Sequence, residues 1–161
     1  MRIIKLSIFG ILLLYFQIMI APKFIIFGLT PNFIPAYLIF LNIHHKTGFT
    51  IPFAFFIGLA YDLIHPSLLG MNTFSFLIIS YIVNNQHKSI TKNNFLIVCI
   101  CIIIINAIYY LIFFFFHLFS LKPIQGLIPL ISFAIFYNSI LTIITVYLFS
   151  FINKMKLSIN V

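Results

Sequence analysis

Long apolar runs broken by single ionisable residues set the pattern of this chain. Seventeen uncharged residues lie between Lys5 and Lys23, 22 between Lys23 and Lys46, 15 between Lys46 and Asp62, and 25 between Asp62 and Lys88. Lys92 to Lys122 encloses 29 and Lys122 to Lys154 encloses 31. A membrane-spanning helix needs about 20 apolar residues, in a range of roughly 17–25. Each interval therefore holds about one helix and none holds two, provided the third helix takes in Asp62. The pattern predicts six helices, over residues 6–21, 33–43, 49–64, 71–84, 95–119 and 127–152.

The second helix is the shortest. Pro31 and Pro35 interrupt its apolar run, so regular helix starts near Pro31, a residue favoured in a first turn. Such a helix either crosses with help from an extended stretch over 23–30 or sits partly in the interface. Charge arbitrates between these. With six crossings and the N-terminus inside, Arg2, Lys5, Lys46, Lys88, Lys92, Lys154 and Lys156 fall on the inner side and Lys23 and Lys122 on the outer, seven against two. That is the asymmetry the positive-inside rule expects. If the second segment fails to cross, the inner side keeps three cations against six. The N-terminal apolar run has no A-x-A pattern behind it and reads as an uncleaved first helix. The expected architecture is an all-α integral membrane protein: one domain over residues 1–161, six transmembrane helices, and both termini cytoplasmic.

Composition supports this and narrows the chemistry. Of 161 residues, 63% are hydrophobic and 6% charged, against about 25% charged in a soluble domain. A single acid, Asp62, opposes nine Lys and Arg. Schemes that need paired carboxylates lack their groups, and neither a P-loop nor a G-x-G-x-x-G nor a G-x-S-x-G elbow occurs. The expectation is no enzyme, no cofactor and no metal. The lysines stand singly between apolar runs, which suits anionic lipid headgroups as counter-charge and not nucleic acid. His44-His45 beside Lys46 and His87 beside Lys88 read as interfacial anchors. Cys99 and Cys101, two apart on a helix, point away from each other.

A few polar residues inside the apolar runs need an explanation. Asp62 stands in the last turn of the third helix, where the dipole is unfavourable to an acid, and a carboxylate in a transmembrane segment is costly. It needs a partner, for which His65, Lys122 and Lys23 are the candidates on the same side. Two readings are open: a site that relays protons or contacts a ligand or partner, and a lock on the turn over 62–70. Gly58, one helical turn before Asp62, suits close helix approach, and Gly70 suits a positive-φ turn position. Asn106 in the fifth helix and Tyr137-Asn138 in the sixth lie near mid-bilayer, each asparagine about 16 Å from its helix end. They read as interhelical hydrogen bonding facing the bundle interior, or as a ligand site.

Residues 58–70, Gly58-Leu59-Ala60-Tyr61-Asp62-Leu63-Ile64-His65-Pro66-Ser67-Leu68-Leu69-Gly70, resemble the signature of the bacterial rod shape-determining protein family MreD. That family shows a G-L-x-x-D-x-hydrophobic stretch, a short turn ending in L-G, and a span closing on a Tyr, here Tyr81. Thr30-Pro31-Asn32-Phe33 is similar to the family's Pro-Asp-hydrophobic start of its second helix, with Asn32 where Asp is usual, so no charge stands there. Phe136-Tyr137-Asn138 falls where the family tends to have a Tyr-Asn pair. The likeness covers essentially the whole chain.

The resemblance implies a multi-pass protein of the bacterial cytoplasmic (inner) membrane. It would be a non-catalytic scaffold of the cell-elongation complex, the elongasome, regulating cell shape and lateral peptidoglycan synthesis. The implied partners are MreC, a single-span periplasmic protein, together with the actin-like MreB, the glycosyltransferase RodA and a penicillin-binding transpeptidase. The implied fold is similar to the substrate-capture subunits of vitamin transporters. The rival reading is such a transporter subunit, using Asp62, Asn106, Tyr137 and Asn138 around a cavity.

Overall fold

A computed structural model describes residues 2–44, 48–64, 66, 69–86, 95–119 and 127–159. His65, His45, Lys46, His87, Lys88, Lys92 and Lys122 lie outside the described residues. The described residues form six α-helices: α1 (Arg2–Met19), α2 (Ile34–His44), α3 (Thr50–Ile64), α4 (Met71–Asn85), α5 (Phe95–Phe119) and α6 (Leu127–Ile159). Two are long and apolar enough to cross a membrane, over Val98–Leu118 with 21 residues and Pro129–Ile152 with 24. Three shorter apolar segments, Ile3–Met19, Ile34–His44 and Thr50–Ile64, accompany them. The last helix runs seven residues past its expected end at residue 152, because nothing in Asn153–Ile159 breaks a helix: the segment has neither Gly nor Pro.

The stretch between α1 and α2 departs from the extended chain expected over 23–30. Ala21–Phe24 is a 3₁₀ turn with Pro22 at its start. Ile26 and Leu29 then exchange both backbone hydrogen bonds, at 3.1 and 2.9 Å, around Phe27 (φ 50°) and Gly28 (φ 79°). Two successive positive φ values are the mark of a type I′ turn. The exposed Phe27 ring closes edge-on against Phe133, 5.3 Å between centroids.

Helix α2 lies inside the bundle. It is the shortest helix and the most enclosed, with every residue from Ile34 to Asn42 buried. It packs against α4 and α6 and is flanked by α1 and α3. A helix apolar on nearly every side belongs in the centre of a bundle, and its one buried amide, Asn42, is met by the Leu38 carbonyl and Ser80. Pro35 falls in its first turn, where no intrahelical N–H is required. By contrast α1 turns Ile4, Ile8, Ile11, Leu12 and Tyr15 outward, the surface expected of a lipid-facing helix.

The α3–α4 pair is the closest in the molecule, and Gly58 explains it. A Cβ at this position would lie 2.5 Å from the Thr73 Cα and 2.9 Å from its nitrogen, so only hydrogen lets the first turn of α4 come so near. Consecutive helices run in opposite directions. The C-terminal ends of α1, α3 and α5 and the N-terminal ends of α2, α4 and α6 therefore share one end of the bundle, away from the chain termini.

Candidate functional site

Asp62 is fully buried at that end. Its carboxylate accepts five hydrogen bonds, all from the start of α4. Oδ2 receives the backbone N–H groups of Gly70 (3.1 Å) and Thr73 (2.9 Å) and the Thr73 hydroxyl (2.6 Å). Oδ1 receives the Asn72 N–H (3.1 Å) and the Asn72 side-chain amide (2.9 Å). The local sequence explains the arrangement. Gly70 is the N-cap of α4, at φ 91°, and has no side chain to accept from the second and third helical N–H groups as an N-cap residue normally does. Asp62 supplies that cap from α3, one helical turn after the glycine that admits α4.

Asp62 thus has the partners that its position calls for. The unfavourable dipole at the C-terminal end of α3 is answered by the favourable one at the N-terminal end of α4, whose free N–H groups attract an anion. Among the described residues its partners are these neutral donors; Lys23 is exposed, and His65 and Lys122 lie outside the described residues. With its oxygens facing five donors, the carboxylate is engaged as an acceptor that ties α3 to α4.

From Asp62 a polar belt continues round the bundle. The Asn72 Oδ1 accepts from the Tyr109 hydroxyl of α5 at 2.9 Å. The adjacent Tyr110, its ring 5.2 Å from that of Tyr109, accepts at its hydroxyl from the Asn138 amide of α6. Asn138 Oδ1 in turn accepts the backbone N–H of Asn32 at 2.9 Å, just before α2. Gln17 of α1 then brackets the same segment, donating to the Pro31 carbonyl (2.7 Å) and accepting from the Phe33 N–H (2.8 Å). Six helices are joined at one level by a carboxylate, three amides and two phenols. In a bilayer such groups have no water to turn to, so each must be met internally.

The other candidates fall as follows. Asn138 is fully buried in this belt. Asn106 is buried below it, donating to its own helix at the Ile102 carbonyl (3.1 Å) and to Thr142 of α6 (3.4 Å). The two asparagines are thus separate α5–α6 contacts and do not converge. Tyr137 is half-buried and outside the belt, its ring stacked on Phe133; it lines an apolar groove of about 390 Å³ along α6. Gly58 and Gly70 frame the cap, and His65 lies outside the described residues. The set proposed for a transporter cavity is therefore not assembled around one space.

A cavity does adjoin the belt, of about 290 Å³, and it is lined by other residues, among them Gln17, Asn32, Asn72, Tyr109 and Tyr110. Gly28, Thr30 and Leu130 at its rim are exposed, so it opens between the type I′ turn and the start of α6. Sequence reasoning passed over Gln17, Asn72, Thr73, Tyr109 and Tyr110. The available signals were Gln17 as the lone amide of α1, and Asn72-Thr73 directly after a glycine that opens a helix. Among the described residues no three His, Cys, Asp or Glu side chains converge on a metal position.

Comparison with curated proteins and with solved structures gives no significant match. The profile of one family matches residues 1–155, nearly the full length and including every member of the belt. With Gly58, Asp62 and Gly70 holding α3 to α4 inside that span, the chain belongs to the rod shape-determining protein MreD family.

Proposed function

We propose that the chain is a non-catalytic membrane scaffold of the cell-elongation machinery, acting on cell shape and lateral peptidoglycan synthesis through MreC. The family carries the role in rod-shape determination; the finer reading is supported by the way the chain uses its polar groups. The observation that carries it is Asp62. The sole acid of the chain is fully occupied in clamping two helices, as befits a rigid body that offers surfaces and performs no reaction. In this reading all six helices lie in the bacterial cytoplasmic membrane with both termini inside, the enclosed α2 being carried by its neighbours.

The surface offered to the MreC transmembrane helix is the apolar groove along α6, where Phe133, Tyr137, Ile140, Leu141 and Ile144 line a trough with no polar wall. A single-span helix matches such a trough in polarity. MreB, RodA and the penicillin-binding transpeptidase then belong to the same complex, reached through MreC.

The test uses two exposed groove residues, Ile140 and Ile144, whose replacement does not disturb the core. Ile140→Trp with Ile144→Trp fills the trough. The protein is expressed from a plasmid in cells depleted of their own copy, and MreC recovered with it is measured beside cell width. Normal protein level with reduced MreC recovery and rounded cells is the expected result. Undiminished MreC recovery and rod shape in the double variant would remove the groove from the interface, and rod-shaped growth of cells wholly lacking the protein would remove the scaffold reading itself.

A further inference from the structure

Near the chain termini the bundle has another opening, and this one carries a charge. Helices α1 and α6 both pack on α2, and towards that end they meet through the Phe9 and Phe149 rings, 5.6 Å apart. Beside this pair a cavity of about 240 Å³ is left between the two helices, with Tyr37 and Phe40 of α2 among its walls. Its shape is fixed from within. Gly10 lets the Tyr37 ring lie against α1, since a Cβ there would come within 3.0 Å of it, and the Tyr37 hydroxyl donates to the Leu6 carbonyl at 2.7 Å. The rim is open: Lys5, Phe9 and Ile152 are exposed. Ile4 and Ile8 on α1 and Leu148 and Phe151 on α6 are exposed as well, so the cavity opens onto apolar surface that lipid chains cover.

Lys5 decides which lipid fits. It is the one cation among the described lining residues, and no Asp or Glu side chain pairs with it. The sole acid of the chain, Asp62, sits at the opposite end and accepts five hydrogen bonds there. Arg2 on α1 and Lys154 and Lys156 on α6 stand at the same end as Lys5 and are cations too. An ammonium group without a counter-charge, beside an apolar hollow, complements a molecule that carries phosphate next to hydrocarbon. The hollow is also short. Its lining runs from Lys5 to Phe9 on α1 and from Phe149 to Ile152 on α6, about 6 Å of helix at a rise of 1.5 Å per residue. A helix of about 10–12 Å diameter cannot lie in it, whereas the first part of one acyl chain can.

We propose that this cavity binds one anionic phospholipid, in the leaflet on the side of the chain termini. Its phosphate lies beside the Lys5 ammonium and the start of an acyl chain lies against Phe9, Phe149 and Ile152.

The full chain is purified in detergent, and phosphatidylglycerol or phosphatidylcholine with the same acyl chains is titrated in. Retained lipid is counted by native mass spectrometry. The first phosphatidylglycerol should bind more tightly than the first phosphatidylcholine. Lys5→Gln should lower that preference about fivefold, the equivalent of about 1 kcal/mol for one lysine near an anionic surface, and Lys5→Arg should keep it. Lys5 is exposed, so both variants should unfold at the parent's midpoint in lipid-free micelles. Ile152→Trp, at the exposed rim, fills the hollow; it should remove the first phosphatidylglycerol and leave MreC recovery unchanged. The proposal is overturned if both lipids bind the parent equally, if the preference survives Lys5→Gln, or if the first phosphatidylglycerol binds Ile152→Trp as it binds the parent. It is overturned equally if Ile152→Trp loses MreC and keeps the lipid, which would make the hollow a seat for a partner's side chain.

Discussion

Replacing Asp62 by alanine removes one carboxylate and strands five donors. Two of them, the Asn72 amide and the Thr73 hydroxyl, turn to other acceptors by rotating a side chain. The N–H groups of Gly70, Asn72 and Thr73 cannot, because the first turn of α4 fixes them. A buried donor left unpaired costs about 1–3 kcal/mol, so three at the low end give about 3 kcal/mol, or roughly a hundredfold in the unfolding equilibrium. Set against a total stability of about 5–15 kcal/mol, the loss is large. Asp62→Asn provides the graded comparison. One amide oxygen still accepts on one side of the cap while the NH₂ meets N–H donors on the other, so about half of the loss is expected.

The assay is reversible unfolding of the purified chain in mixed micelles, followed by far-ultraviolet circular dichroism since the chain has no Trp. Hydrogen exchange at the Gly70, Asn72 and Thr73 amides reports the cap directly. Stability should fall in the order parent, Asp62→Asn, Asp62→Ala, with the three amides losing protection first and MreC recovery following the folded fraction. The reasoning fails if Asp62→Ala unfolds within about 0.5 kcal/mol of the parent. It fails equally if Asp62→Asn is as stable as the parent yet inactive, the signature of an acid used for proton chemistry.

Other substitutions test neighbouring links. Gly58→Ala drives a methyl against the Thr73 backbone and should cost about 1–3 kcal/mol as an overpacked contact, read in the same unfolding assay. Because Gly58 and Asp62 act on one turn of α4, the double variant with Asp62→Ala should lose less than the two single losses added together; strict additivity would show that the clamp and the close approach are unrelated. Gly70→Ala meets no atom within 4 Å, so its cost is conformational alone, about 1–2 kcal/mol for the left-handed region, and Gly70→Asn should recover part of it. Asn106→Leu removes one interhelical contact and should cost about 0.6 kcal/mol, at most about 1.7, leaving the belt and the amide protection of α4 unchanged.

The helices themselves were legible because apolar runs bounded by single charges leave few ways to divide the chain. The end of α3 at Ile64 and the start of α4 at Met71 follow from the Pro66 and Gly70 punctuation between them. What could not be read was direction in space. Asp62 looked misplaced at the negative end of its own helix because one-dimensional reasoning sees only the helix that carries a residue. Its true partner begins eight residues later and is brought there by Gly58. For α2 the sequence read a short, marginal span, and the helix is indeed short at 11 residues; that its neighbours enclose it could not be read from its own residues. Tyr109 and Tyr110 escaped notice because a phenol in an apolar run resembles any aromatic packing residue until its hydroxyl meets an acceptor.

The belt and the groove divide the labour of the molecule. Where Asp62, Asn72, Tyr109, Tyr110, Asn138 and Gln17 tie the helices at one end, the tie is made of directional bonds in a medium that offers no substitute partners. It sets helix positions there more sharply than apolar contact alone, which tolerates sliding. The opposite half has fewer such ties, Tyr37 to the Leu6 carbonyl and Asn42 to Ser80, and much aromatic packing, with Phe9, Tyr37, Phe40 and Phe149 gathered at centroid separations of 5.3–6.4 Å. A bundle pinned at one end and held by softer contacts at the other keeps the outer faces of α1 and α6 in a defined register for a neighbouring helix. On this argument, loosening the belt should weaken partner recovery even when every groove residue is intact. Gln17→Leu puts this to the test, since Gln17 is not itself a groove residue and holds the Pro31–Phe33 segment against α1 through backbone bonds that leave every groove side chain in place.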